Sequence, residues 1–415
     1  MDIAKIKKEI RREMSMWIGQ EEGVTREFLT EKAKQIFENM ESERKVKIES
    51  AVKDKVISSL CDDFLGLGPL QKLMNDKGVT EIMINGPDKV YIEKDGKKGL
   101  CDVKFDDRTH LRYIIEKMIA PAGRRVDESS PYVDFSLANG SRVNVILPPL
   151  AIKGATVTIR KFLDYIKSVD DLVKLETVDS RMAEFLKACI RAKVNILFSG
   201  ATGSGKTTTL EVLSSYIDPN ERIITIEDAL ELSLRQEHVV SLLTRPSNIE
   251  GKGEITPRDL FRNTLRMRPT RIILGELRGE EALDYLQALN SGHRGSLAVI
   301  HASTPTDAIS RLETMALYAG INLPALAIRA QISSGLDLIV QHVQLSDGSR
   351  KITHITEVGK IKDNQVELRN IFHYEIEEVS ADASVKGEFK AKNVPGFMPI
   401  FKKKGVDISE SLFKD

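Results

Sequence analysis

The chain has 415 residues, 41% hydrophobic and 29% charged, and its 61 basic residues balance its 61 acidic ones. That is a globular composition with room for two or three domains, and no global charge draws it to nucleic acid. Cys61, Cys101 and Cys189 form no C-x-x-C pair, which excludes a sequence-evident zinc cluster or disulfide framework; with no apolar run of membrane-span length and no signal-peptide core, a cytoplasmic protein is expected.

Residues 1–62 read as a small helical bundle. Ile3, Ile6, Ile10, Met14 and Trp17 recur at helical spacing, with Lys5, Lys7, Lys8, Arg11 and Arg12 mostly off that stripe. A basic amphipathic helix can lie on a membrane, but Glu9 and Glu13 dilute its charge, so docking on neighbouring helices is the simpler reading. Residues 63–160 read as an α+β domain. Strand-like runs lie at Val79–Ile84, Val90–Glu93, Tyr132–Leu137, Arg142–Leu147 and Thr156–Ile159, with a helix over His110–Ile119. Residues 161–172 form a polar connector.

From residue 173 onward apolar strands alternate with helical patterns, which predicts an α/β core with helices on both faces of a sheet. Asn195–Ser199 reads as its first strand and Thr207–Ser215 as the helix that follows. Between them stand Gly200, Ala201, Thr202, Gly203, Ser204, Gly205, Lys206, Thr207 and Thr208. They fit G-x-x-x-x-G-K-[ST], the phosphate loop of nucleoside triphosphatases. The glycines let backbone N–H groups turn inward around a polyphosphate. Lys206 would reach the β- and γ-phosphates, Thr207 would ligate Mg²⁺, and the helix start would point its positive end at the anion. Strand, loop and helix in that order are the context the motif requires.

Hydrolysis needs a carboxylate at the end of a neighbouring strand. Arg271–Glu276 supplies it: Gly275 occupies the position where such strands usually carry Asp, which leaves Glu276 to activate water. Ile223–Glu227 ends in Glu227 and Asp228, a pair able to hold a metal through water, although Glu-Asp after a strand also fits a helix N-cap. His293 and His301 flank the strand Leu297–His301; a histidine at a strand end can donate to a γ-phosphate, and ligands gather at such ends. Arg258, Arg262 and Arg266 fall on one helical face, with Arg268 and Arg271 beyond; surface ion pairs suit the first two. Arg142 and Arg160 lie at strand ends of the preceding domain, and guanidinium groups that stabilise a transferring phosphoryl group often come from another domain or subunit. From about residue 336 the chain turns β-rich, and its last forty residues show no clear period.

At these residues the chain resembles the secretion ATPase superfamily of type II and type IV secretion and type IV pilus systems. Its motifs are the phosphate loop at 200–208, ITIEDALEL around Thr225, RIILGELRGEEA from Arg271 and SGHRGSLAVIHA from Ser291. GLGPLQKL from Gly66, TEIMING from Thr80, GRRVDESSPYVD from Gly123, GSRVNVILPPL from Gly140 and GEITPRDLFRNTLRMRP from Gly253 bring it closest to the CpaF/TadA branch, the tight-adherence pilus ATPases. The resemblance covers nearly all residues after about 60. It implies a RecA-like core behind the α+β domain, a homohexamer, ATP and Mg²⁺ as ligands, and work on an inner-membrane platform protein from the cytoplasmic face, with membrane contact only peripheral. By position, Glu276 is the expected catalytic carboxylate. Glu227 and Asp228 match the Asp box, His293 and His301 the His box, and Arg142 and Arg160 the N-terminal-domain arginines. The connector at 161–172 would be the hinge. The tetracysteine insertion of the type II branch is missing, so no zinc is expected.

Two other readings use the same core. A nucleic-acid translocase is disfavoured by the neutral charge and sparse aromatics, and direct nucleic-acid binding is not expected. A GTP switch would need an Asn-Lys-x-Asp motif, which the sequence lacks.

Overall fold

A computed structural model describes residues 3–18, 23–44, 47–162, 166–245, 247, 251–381 and 383–414. It divides into two compact units, Met1–Leu163 and Asp164–Asp415.

The first unit opens with three helices, α1 (Ile3–Ile18), α2 (Arg26–Arg44) and α3 (Ser50–Leu65). Ile6, Ile10 and Met14, four residues apart, form the buried stripe of α1 and pack with Leu29, Phe37 and Leu60. Trp17, expected on that stripe, is exposed and lies under the Lys32 ammonium at 4.8 Å. After α4 (Gln71–Asn75) come β1 (Val79–Asn85), β2 (Val90–Lys94), β3 (Lys97–Cys101), α5 (Arg108–Ile119), β4 (Tyr132–Ser136), β5 (Arg142–Ile146) and β6 (Thr156–Arg160). The strands form one antiparallel sheet in the order β3-β2-β1-β6-β5-β4. Alternation sets its faces: Val143, Val145, Val157 and Ile159 pack in one core with Leu111, Ile114 and Met118 of α5. Arg142 and Arg160 occupy the alternate, half-buried positions.

The second unit runs α6 (Val169–Lys174), α7 (Ser180–Arg191), β7 (Ile196–Gly200), α8 (Lys206–Ser214), β8 (Ile223–Glu227), β9 (Val239–Leu243), α9 (Pro257–Thr264), β10 (Arg271–Leu277), α10 (Glu281–Asn290), β11 (Leu297–Ile300), α11 (Pro305–Leu317), α12 (Ala325–Gly335), β12 (Leu338–Gln344), β13 (Arg350–Lys362), β14 (Gln365–Val379), β15 (Val385–Ala391) and α13 (Met398–Lys403). Nine strands make one sheet, ordered β15-β14-β13-β12-β7-β11-β10-β8-β9. The six from β12 to β9 are parallel, and β13 to β15 extend the sheet antiparallel.

The parallel strands are apolar on both sides, because helices cover both faces. Ile196, Phe198, Leu297 and Val299 point into one core with α7 and α8. Leu197, Ile272, Leu274, Ala298 and Ile300 point into the other, with α9 to α12. The mixed α/β class and helix-covered sheet expected from the alternating pattern are what the chain forms.

Local order exceeds the sequence reading in two places. The connector expected over 161–172 is helical from Val169, where Ser168 and Asp171 form a capping box; its residues 163–165 lie outside the described residues. The final forty residues carry the end of β14, then β15, α13 and a short 3₁₀ turn (Glu410–Phe413), the last two tied down by rings. Phe185 of α7 lies 5.7 Å from Phe372, 6.2 Å from Phe401 and 5.4 Å from Phe413.

Candidate functional site

Parallel strands put all their C-terminal ends on one edge of the sheet. That edge carries the loop after β7, Asp228 after β8, Glu276 near the end of β10, and His301 after β11. Ligands bind at such an edge where strand order reverses, and β7 lies between β11 and β12.

The loop has the conformation its glycines were expected to allow. Gly203 and Gly205 have φ of 77° and 97°, left-handed values that a side chain would strain. Gly200 sits against β12, where a Cβ would meet the His342 carbonyl oxygen at 2.4 Å. Lys206 is buried and donates through Nζ to the carbonyls of Gly200 (2.9 Å) and Ala201 (2.7 Å). A polyphosphate in the loop would replace these carbonyls as acceptors. Gly205 caps α8 without a side chain, so the first-turn N–H groups are left for an anion, and Thr207 in that turn would hold the Mg²⁺ of a bound nucleotide. The residues present fit that group.

On β10, Glu276 is held from two sides. His301 presents Nε2 3.2 Å from its Oε1, and Arg278 donates through Nη2 to its Oε2 at 2.6 Å. Burial alone would raise this carboxyl, but the hydrogen bonds from His301 and Arg278 outweigh it and bring its pKa down to about 2. Arg278 also donates through Nη1 to Asp228 at 3.0 Å, and Thr244 donates to the other Asp228 oxygen at 3.0 Å. Glu227 is buried and accepts through Oε1 from the backbone N–H of Glu231 (3.0 Å) and Leu232 (2.9 Å), which pins the turn after β8.

His293 is not brought to this edge. It precedes β11, at the opposite end of the strand from His301, where the Ser291 hydroxyl lies 3.3 Å from its Nδ1. Arg258 pairs with Glu280 and Asp284, and Arg262 with Asp284; the Arg262 side chain is exposed, whereas Arg258 and Asp284 are largely covered rather than on the surface. Arg266 lies beyond the end of α9, so the three arginines do not share one helix. Arg271 is buried at the start of β10, in a two-pronged pair with Glu221 at 2.9 and 3.1 Å, and holds the fold.

In the first unit, Arg142 and Arg160 are direct partners across β5 and β6. Like charges directly opposite each other cost stability, and this register brings two of them together. Glu81 stands opposite Arg160 on its other side.

Three residues at the loop's edge escaped sequence reading. His342 ends up beside the loop because β12 pairs with β7; burial, with the Lys206 ammonium, holds its pKa down at about 3, so it stays neutral. Arg350 donates through Nε to the Gly203 carbonyl at 2.7 Å. Neither leaves a local motif. Arg278 does: it stands two residues after Glu276, just past the end of β10, inside the same contiguous motif.

A family model described as "Type II/IV secretion system protein" matches residues 63–384. The chain is 32% identical over 333 residues to the type IV secretion system protein VirB11 of Bartonella quintana, covering 70% of this chain and 91% of that protein. It is 30% identical over 312 residues to the conjugal transfer protein TrbB of Rhizobium radiobacter, covering 74% and 91%. In fold it is similar to the X-ray structure of the Yersinia pseudotuberculosis ATPase DotB, with a TM-score of 0.50 at 17% identity over 74% of this chain and 80% of that one. With the phosphate loop of an ATP-hydrolysing enzyme on a RecA-like sheet behind an α+β domain, the chain belongs to the type II/IV secretion system protein family.

Proposed function

We propose that the chain is the motor ATPase of a tight-adherence type pilus, or of a closely related secretion machine, and that it works as a homohexamer on an inner-membrane platform protein at the cytoplasmic face. The observation that carries the enzymatic half is the meeting of Lys206, Glu276 and His301 on one sheet edge. The branch-specific stretches around Gly66, Thr80, Gly123 and Gly253 support the tight-adherence branch.

In this reading Lys206 turns from the loop carbonyls to the β- and γ-phosphates. Thr207 would hold Mg²⁺, which would supply neutralisation of phosphate charge. Glu276, kept ionised, accepts a hydrogen bond from the attacking water. The water oxygen bonds the γ-phosphorus as the bond from that phosphorus to the bridging oxygen breaks; the electron pair leaves with ADP, and the water's proton passes to Glu276. His301, already against Glu276, is placed to respond to loss of the γ-phosphate. Arg142 and Arg160 act on the phosphates from the N-terminal domain, with the hinge in 161–172, so that domain closure is the mechanical stroke.

The test is ATP turnover measured against oligomeric mass, with and without the platform protein. Turnover should follow the hexamer and disappear in Lys206→Ala. A fully active monomer would sink the ring-dependent mechanism.

A further inference from the structure

Arg278 is the one group on Glu276 that the mechanism above leaves without a task. Its guanidinium joins two carboxylates from neighbouring strands, Glu276 of β10 at 2.6 Å and Asp228 after β8 at 3.0 Å. Guanidinium has only donors, so it bridges two acceptors that would otherwise repel. The clamp engages Glu276 Oε2 while His301 faces Oε1, so both oxygens are occupied where water must be oriented. A carboxylate held this way is a weak base. Yet the Arg278 side chain is 53% exposed. It borders a cavity of about 510 Å³ whose lining also includes His301, Ser303, Asp307 and Arg311. The guanidinium therefore has somewhere to go.

We propose that Arg278 is a positioning residue: in the nucleotide-free chain it clamps Glu276 to Asp228, and on nucleotide binding it swings off Glu276 into the cavity it lines, freeing the carboxylate to act on water. The inference rests on the ATPase reading and adds its regulation: an empty site is kept from acting as a base. The charged and titratable groups facing the pair are His301 after β11, Glu227 and Asp228 at the end of β8, and Glu231 beyond them.

The experiment follows the Glu276 carboxyl itself, as the ¹³C glutamate signal missing from Glu276→Gln protein, in the full chain. Without nucleotide, Arg278→Gln should raise its titration by about one to two pH units relative to the unchanged chain. Arg278→Lys should close part of that gap. A Mg²⁺–ATP analogue that cannot be cleaved will raise both through its own charge, and the two titrations should then coincide. No gap without nucleotide would overturn the clamp, and a gap that persists with the analogue would overturn its release. Because Arg278 is half exposed and lies in neither hydrophobic core, the glutamine variant leaves the buried cores untouched. Absence of ATP turnover in the unchanged chain would defeat the ATPase reading, while the two titrations would still decide the clamp.

Discussion

Gly275 stands where a strand of this kind usually carries a carboxylate, and the adjacent strand accounts for the exchange. A Cβ there would lie 2.8 Å from Glu227 Cγ and 3.4 Å from its Oε1. The space belongs to the Glu227 side chain, which reaches over from β8 to hold the following turn. Gly275→Ala should therefore destabilise the second unit by about 1–3 kcal/mol through overpacking, read as a lower urea midpoint. An unchanged midpoint would mean that Glu227 moves aside freely. Glu276 is a different case, because its side chain meets polar partners, His301 and Arg278. Glu276→Gln keeps the shape and removes the charge, so ATP should stay bound while turnover falls by about 10²- to 10⁴-fold. Filter-bound nucleotide together with phosphate release measures both. Near-normal turnover would remove Glu276 from the water-activating role.

Helix α1 shows how an element is fixed by more than its apolar stripe. Asp63 of α3 is fully buried and accepts from Arg11 Nη2 at 2.6 Å. Asp106 sits 2.7 Å from Arg11 and 3.0 Å from Lys7. His110 of α5 lies between the acids, Nε2 3.0 Å from Asp63 and Nδ1 3.1 Å from Asp106. These three could form a metal-sized group, but two cations of α1 already fill the space. Across the end of α3, Lys117 donates to the carbonyls of Asp63 (2.9 Å), Phe64 (2.6 Å) and Gly66 (2.6 Å), closing the helix terminus. Burial opposes charge on Asp63 and Asp106, but hydrogen bonds from His110 and the charges of α1 hold both below the usual carboxylate range. Burial would lower His110, yet its bonds to Asp106 and Asp63 raise it above the usual 6.5. The two shifts act on opposite sides of neutrality. The carboxylates contribute stability above their ordinary range and lose it as pH falls through their lowered values. His110 contributes fully below about 6.5 and loses its share as pH rises through its raised value. Protection of α1 amides against hydrogen exchange, corrected for intrinsic rates, should be greatest in mildly acidic solution and decline above neutrality. His110→Gln should lie lower at pH 6 and lack the decline. A wild-type profile flat from pH 6 to 9 would exclude charged His110 from the dock.

At the scale of the molecule, what the sequence disclosed and what it hid divide by range. The phosphate loop, the carboxylate of β10 and the strands around them are written in contiguous residues with fixed spacing, so they could be placed before any coordinates. The order of the first sheet could not, because alternation shows which face is buried and not which strand lies alongside. Arg350 meets Gly203 across 147 residues, and Phe185 meets Phe413 across most of the second unit; such contacts leave no local trace. His293 and His301 share one sequence motif, but strand β11 lies between them and holds them at its opposite ends. Arg142 and Arg160 show the same limit from the other side. Register brings them together, and their action on a phosphate belongs to the proposed closure of one unit on the other. That closure has its own test. If the arginines serve the loop of their own chain, each loss should lower turnover while nucleotide binding at the loop persists. Chains carrying Arg142→Ala and Arg160→Ala, mixed with Lys206→Ala chains, should then stay inactive in every mixed ring, because no chain has both an intact loop and its arginines. If the arginines instead reach a neighbouring chain, roughly a quarter of the sites in a random one-to-one ring would be complete, since in a head-to-tail ring each site uses one neighbour. Turnover recovering to that level on mixing would move the arginines to the interface between subunits, and the stroke with them; turnover staying at the sum of the two parents would keep both within one chain.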